Sequence, residues 1–253
     1  MARQKGVLKF QGQMGGVSFY KTSQDGYLAR EKGGVDADRI KNDPAFERTR
    51  ENGAEFGRAG AAGKLLRTAL RTLIINSSDS RVASRLTREM VKVVQADITN
   101  PRGLRNVIDG EAELLLGFEF NENGKLNRTF FAPYTTTIDR PAGNLAVDIP
   151  AFIPGNMIAA PQGSTHYKLT AAGIEVDFEA GVYVINTSQT AEIELGPQTE
   201  AAVLLSNAVT PASTKPLFLA FGIEFYQEVN AQMYPLKNGA YNALALVAID
   251  GGV

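Results

Sequence analysis

The residues best equipped for chemistry in this chain are acidic. Glu175, Asp177 and Glu179 alternate with Ile174, Val176 and Phe178, and Glu192 and Glu194 flank Ile193. On a strand, such alternation turns all three carboxylates of the first group to one face. Stacked carboxylates can hold calcium, act as an acid/base pair, meet arginines of a neighbouring molecule, or form the solvated face of a sheet. No turn or glycine pattern of a calcium loop accompanies them, so the solvated face or an intersubunit contact is the expectation and no metal ligand is assigned.

Other catalytic constellations are missing from the sequence. There is no cysteine, no tryptophan and a single histidine, His166, next to Thr165 and Tyr167 at the start of a strand-like run. Disulfides, thiolate metal sites and multi-histidine centres are thereby excluded, and His166 reads as a structural or surface residue. The Gly-x-Ser-x-Gly pattern of a nucleophile elbow is absent. Gly60-Ala61-Ala62-Gly63-Lys64 lacks the spacing and the following Ser or Thr of a phosphate-binding loop. No catalytic residue and no cofactor are expected. Sugar recognition rests on tyrosines alone (Tyr134, Tyr167, Tyr183, Tyr226, Tyr234 and Tyr241). A hydrolase or sugar-binding site would lie near the proline-rich stretch 150–161 and the acidic strands.

Basic residues have their own spacing. Arg81, Arg85, Arg88 and Lys92 recur at i, i+4, i+7 and i+11, a stripe along one helix face. The stripe could track a phosphate backbone, yet Asp79 and Glu89 lie nearby and no aromatic side chains interleave. A solvated face or a protein contact is the leading reading and nucleic acid the alternative. Gly53, Gly57 and Gly60 also share one helix face. Each costs roughly 0.5–1 kcal/mol in a helix interior relative to alanine. Close approach of another backbone would offset that; a kinked or broken helix is the other reading.

These residues need elements to hold them. Residues 6–32 favour strand and read as an extended arm or a hairpin, with Phe19, Tyr20, Tyr27 and Leu28 among them and turns at Gly15-Gly16 and Asp25-Gly26. Asn42-Asp43-Pro44 opens a helix running to about Ile75, and Asp79 one running to about Ala96. Asn100-Pro101 opens a short third one ending near Gly110. Beyond Gly110 the period shortens to two. Strands are expected over 112–120, 126–131, 145–149, 165–170, 174–178, 182–186, 191–195, 201–205, 217–226 and 240–249. Asn123-Gly124 and Lys237-Asn238-Gly239 read as hairpin turns and 150–161 as a loop. The fold class is α+β: an extended N-terminal arm (1–42), a basic region of two to three helices (43–109), and an acidic antiparallel β-sandwich or jelly-roll-like domain (110–253).

Charge is polarised along that order. Residues 1–109 hold 20 Lys and Arg against 12 Asp and Glu, a net of +8; residues 110–253 hold 6 against 15, a net of −9. This suits a polyanion partner, head-to-tail contact between copies, or two layers facing each other in one monomer. No run approaches the ~20 apolar residues of a membrane helix, and no signal-peptide core follows the N-terminus. Cytoplasmic synthesis is expected, with later release as part of a particle or assembly, and no membrane partner.

Two stretches resemble a family of bacterial proteins of Bacteroidota type that has no assigned activity and a phage- or particle-related flavour. One is Tyr20-Lys21-Thr22, Gly26-Tyr27-Leu28-Ala29-Arg30-Glu31-Lys32-Gly33-Gly34 and Asn42-Asp43-Pro44-Ala45-Phe46 with Arg48-Thr49-Arg50-Glu51-Asn52. The other is Phe225-Tyr226-Gln227 with Tyr234-Pro235-Leu236-Lys237-Asn238-Gly239-Ala240-Tyr241-Asn242. The resemblance implies a bacterial or phage-derived source and carries over no functional residue.

Together these features predict a non-enzymatic protein that assembles with copies of itself as a particle, tube or fibre subunit. Its interface would use Phe19, Tyr20, Tyr27 and Leu28 of the arm, Gly53, Gly57 and Gly60, and the charges Arg81, Arg85, Arg88, Glu175, Asp177 and Glu179. An arm of this kind could add to a neighbour's sheet edge.

Overall fold

A computed structural model describes residues 2–23, 25–31, 33–236 and 241–252. The chain forms two compact units, residues 1–50 and 51–253. The expected Lys237-Asn238-Gly239 turn lies outside the described residues.

In the first unit, β1 (Ala2–Arg3), β2 (Gly12–Met14), β3 (Val17–Thr22) and β4 (Gly26–Glu31) build an antiparallel sheet in the order β1-β4-β3-β2. Gly15 and Gly16, at φ 55° and 79°, make the turn between β2 and β3. That pair of positive angles is what a two-residue type I′ hairpin demands. The arm therefore pairs with itself. A short helix that the sequence reading did not anticipate, α1 (Ala37–Asn42), follows, capped by Asp36 accepting from the Asp38 N–H at 2.8 Å. Asp43 accepts from the Ala45 N–H at 2.9 Å and caps a 3₁₀ turn at Pro44–Phe46.

The second unit has three layers. Helix α2 (Glu47–Ala69) runs unbroken through its glycines, and α3 (Arg71–Ile74) and α4 (Val82–Gln95) complete the helical layer. The middle layer is a six-stranded sheet in which β11 (Leu217–Val229) is flanked by β7 (His166–Asp177) on one side. On its other side lie β12 (Gln232–Pro235) and β13 (Ala243–Asp250) in tandem. Beyond β7 lie β8 (Val182–Gln189) and β9 (Ile193–Glu194). The third layer is a three-stranded sheet with β6 (Asn144–Ile149) between β5 (Thr135–Asp139) and β10 (Val203–Ala208).

Burial on both faces explains the unbroken apolar run of β11. Phe218 and Ala220 join a core with Leu66, Leu86 and Met90 of the helices. Leu217, Leu219, Phe221 and Ile223 join a second core with Leu145 and Val147 of β6. The helical stretch is thus not a domain of its own. Its apolar face and one face of the sheet are a single core, and dividing the chain at 109 would expose both.

Several expected elements take another form. Residues 100–110 form turns, because Asp97 captures the N–H groups of Thr99, Asn100 and Asn106 at 2.8–3.0 Å. Arg58 and Glu55 of α2 then strap the loop down through Gly103 and Arg105. Residues 112–115 are a 3₁₀ turn, and 126–129 a single helical turn, α5 (Leu126–Thr129). The Glu119 carboxylate accepts from the Leu126 N–H at 3.1 Å, holding that turn where a hairpin strand was expected. The proline-rich loop contains one further helical turn, α6 (Pro154–Met157). The two strands expected over 165–178 are one, β7. Its small residues Ala171-Ala172-Gly173 read as a break, but they let the third layer close in. A Cβ on Gly173 would stand 2.9 Å from Asn207 Cβ and 3.3 Å from Leu145 Cβ.

Candidate interaction surfaces

The basic stripe is divided by burial. Arg85, whose side chain is 15% exposed, donates to the carbonyls of Glu119 at 2.8 Å and Phe120 at 3.1 Å. It also ion-pairs with Asp79 and stacks over Phe118 at 5.2 Å. Burial pushes the Asp79 carboxyl up, but the N–H groups of Glu122 and Arg81 and the Arg85 guanidinium outweigh it and hold the group below the usual range. Arg85 is thus a structural clamp between α4 and the chain before α5. Arg88 and Lys92 reach the surface, both paired with Glu89, and Arg81 is exposed. Exposed pairs of this type contribute little. The stripe of four therefore offers three surface cations, two of them bound to one carboxylate.

The acids do not form one array. Glu175 accepts from the Thr210 N–H at 3.1 Å. Asp177 ion-pairs with Lys215 at 2.8 Å, and that contact holds its carboxyl below the ordinary range. Glu179 is exposed beyond the end of β7, in the turn that Asp177 organises by accepting from the Glu179 and Ala180 N–H groups. Glu192 is paired with Lys168 at 2.6 Å, and His166 stands 3.9 Å from Glu228. Among the described residues, no group of three or more His, Asp or Glu side chains is arranged to hold a metal ion. No helix among them is long and apolar enough to cross a membrane.

Phe19, Tyr20, Tyr27 and Leu28 sit on β3 and β4, the inner strands of the first unit's sheet, with Phe19 opposite Ala29 and Tyr20 opposite Leu28. Cation–π contacts from Lys21 to Tyr27 and Arg30 to Tyr20, both at 5.4 Å, hold the rings. β2 covers Val17–Phe19 of β3 and β1 covers Leu28 and Ala29 of β4, so part of each strand's outer backbone is already paired. Of the two readings of residues 6–32, extended arm or hairpin, the structure takes the hairpin.

Glycines on α2 separate into two kinds. Gly63 faces inward, and a Cβ there would lie 3.7 Å from Leu86 and Met90. Gly53, Gly57 and Gly60 face outward, with nothing within 4 Å of the added carbon. Phe56 belongs to the same face, three residues after Gly53 and four before Gly60, and is 61% exposed. It lines a groove of about 580 Å³ with Ala83, Ser84, Thr87, Arg88 and Val91 of α4. Helical spacing alone joins Phe56 to the glycines, a signal already present in the sequence.

No protein-family model matches the chain, and no curated protein is similar to it. Among solved structures, one similar chain comes from work on "pH-induced modulation of Streptococcus parasanguinis adhesion by Fap1 fimbriae". It is 10% identical, over 46% of this chain and 81% of that one, with a TM-score of 0.21. The human F-spondin reeler domain is 14% identical, over 49% of this chain and 98% of its own, with a TM-score of 0.17. Likeness at that level carries no argument about function.

Proposed function

We propose that this is a non-enzymatic structural protein that associates with copies of itself, as the subunit of a particle, tube or fibre, through the outer face of its helical layer. One observation carries the reading: an open glycine face beside an exposed phenylalanine and an apolar groove. Three outward glycines cost a lone helix roughly 1.5–3 kcal/mol together. Among the described residues no atom outside the helix's own backbone comes within 4 Å of a Cβ at these positions to offset that, whereas a second backbone lying close against the face would. An exposed Phe above an apolar groove is the composition of an interface anchor.

Electrostatic attraction between the basic and acidic parts contributes less to this reading than the glycine face. Asp79, Glu89, Asp177 and Glu192 are already matched within the second unit.

Light scattering and native mass over a concentration series test the proposal, with Gly57→Ala as the probe. That substitution adds a methyl group into open space, so the isolated subunit gains about 0.5–1 kcal/mol of stability while association weakens. Stability and assembly moving in opposite directions is the signature expected. A wild-type protein that stays monomeric at the highest attainable concentration sinks the proposal.

A further inference from the structure

The sheet edges of this molecule are not alike. β5 ends in Asp139 with Arg140-Pro141 behind it, β9 is two residues long and ends in Glu194, and β12 ends in Pro235. The outer edge of β13 is taken by the Gly117 and Phe120 N–H groups donating to Leu246 and Leu244, and by Leu246 donating to Phe118. β10 lies against β7 and β8. β1 and β2 are two and three residues long. Charge, proline, shortness and cover are the devices that keep an edge from recruiting another strand.

β8 has neither charge, proline nor shortness, and what lies against it is β10 of the third layer rather than a further strand of its own sheet. Its eight residues, Val182 to Gln189, carry no charge and no proline, and they pair with β7 in continuous register without a bulge. Valine, tyrosine, isoleucine and threonine dominate it, all strong strand formers. Among the described residues no strand pairs with its other side. The side chains of Val182, Tyr183 and Val184 are exposed, Val184 to 45%.

We propose that β8 pairs antiparallel with β8 of a second copy, joining two six-stranded sheets across a two-fold axis. The proposal rests on the self-association reading above but uses a different surface. A strand without charge is compatible with itself, since no register of antiparallel self-pairing then sets like charges opposite each other. A two-fold axis normal to an antiparallel ladder sets one residue opposite its own copy. Centring on Ile185 places Ile185 against Ile185, Tyr183 against Thr187 and Val184 against Asn186. Centring on Asn186 would set Tyr183 against Gln189 and amide against amide, a poorer match. One self-complementary patch closes the dimer.

The full chain is measured by native mass spectrometry and light scattering, with thermal melts to verify folding. Val184→Lys with Asn186→Lys sets lysine opposite lysine twice, and the dimer dissociation constant should rise about a hundredfold or more. Val184→Lys with Asn186→Glu sets lysine opposite glutamate twice, and dimerisation should return. Oligomers that survive the double-lysine variant overturn the β8 contact while leaving self-association standing. Failure of the lysine–glutamate variant to restore the dimer overturns the Ile185-centred pairing, and a wild-type chain that is always monomeric overturns both proposals.

Discussion

Arg85→Ala tests the division of the basic stripe into structural and surface members. The substitution leaves the Asp79 carboxylate, 8% exposed, without its cation and removes the donor from the Glu119 and Phe120 carbonyls. Breaking a buried pair by removing one partner costs about 3–5 kcal/mol, because the other charge stays buried. For a unit of this size each kcal/mol lowers the melting temperature by about 2–4 °C, so a fall of roughly 6–20 °C is expected by circular dichroism. Arg81→Ala, on the same helix face but exposed, should stay within about 0.5 kcal/mol of wild type. The carboxyl of Asp79 titrates below its unfolded value of about 3.9. Its contribution is therefore present above that pH and lost as pH falls through the folded value. The gap between wild type and Arg85→Ala should accordingly narrow on acidification below about pH 4. A melting temperature for Arg85→Ala within a degree or two of the Arg81→Ala value would refute the clamp.

Other substitutions probe the packing. Gly63→Ala adds a carbon at ordinary contact distance, 3.7 Å, from Leu86 and Met90, so chemical denaturation should show a gain of about 0.5–1 kcal/mol. Gly222→Ala is the opposite case. Its Cβ would stand 2.6 Å from the Ala243 carbonyl oxygen and 3.0 Å from a Leu244 methyl, and the strained ladder should cost about 1–3 kcal/mol or more in the same measurement. Asp97→Ala removes the acceptor for the Thr99, Asn100 and Asn106 N–H groups, and local hydrogen exchange across residues 97–110 should quicken together with a loss of about 1–3 kcal/mol.

Val82, Leu86, Met90 and Val93 recur at i, i+4, i+8 and i+11 and are all buried in α4, so that helix is legible from its apolar spacing. The run Leu217–Tyr226 gave strand β11, whose alternate residues fill two cores. Turn chemistry at Gly15-Gly16 and capping at Asp43 were likewise legible, since each depends only on neighbouring residues. Arg85 was not. At i+4 from Arg81 it is indistinguishable by spacing from a surface cation. Only the chain around Glu119 and Phe120, more than thirty residues on, makes it a buried clamp.

Sequence by itself thus determined the α+β class, the order of strand-forming arm, helices and strand-rich part, and the exclusion of thiolate and multi-histidine centres. All of these follow from composition and local periodicity. Tertiary structure alone decided which glycines face a neighbour and which face solvent, that the arm's inner strands are already paired, and that β8 is an unguarded edge. Those properties depend on what lies across a gap from a residue, and nothing in its immediate chain neighbours encodes that.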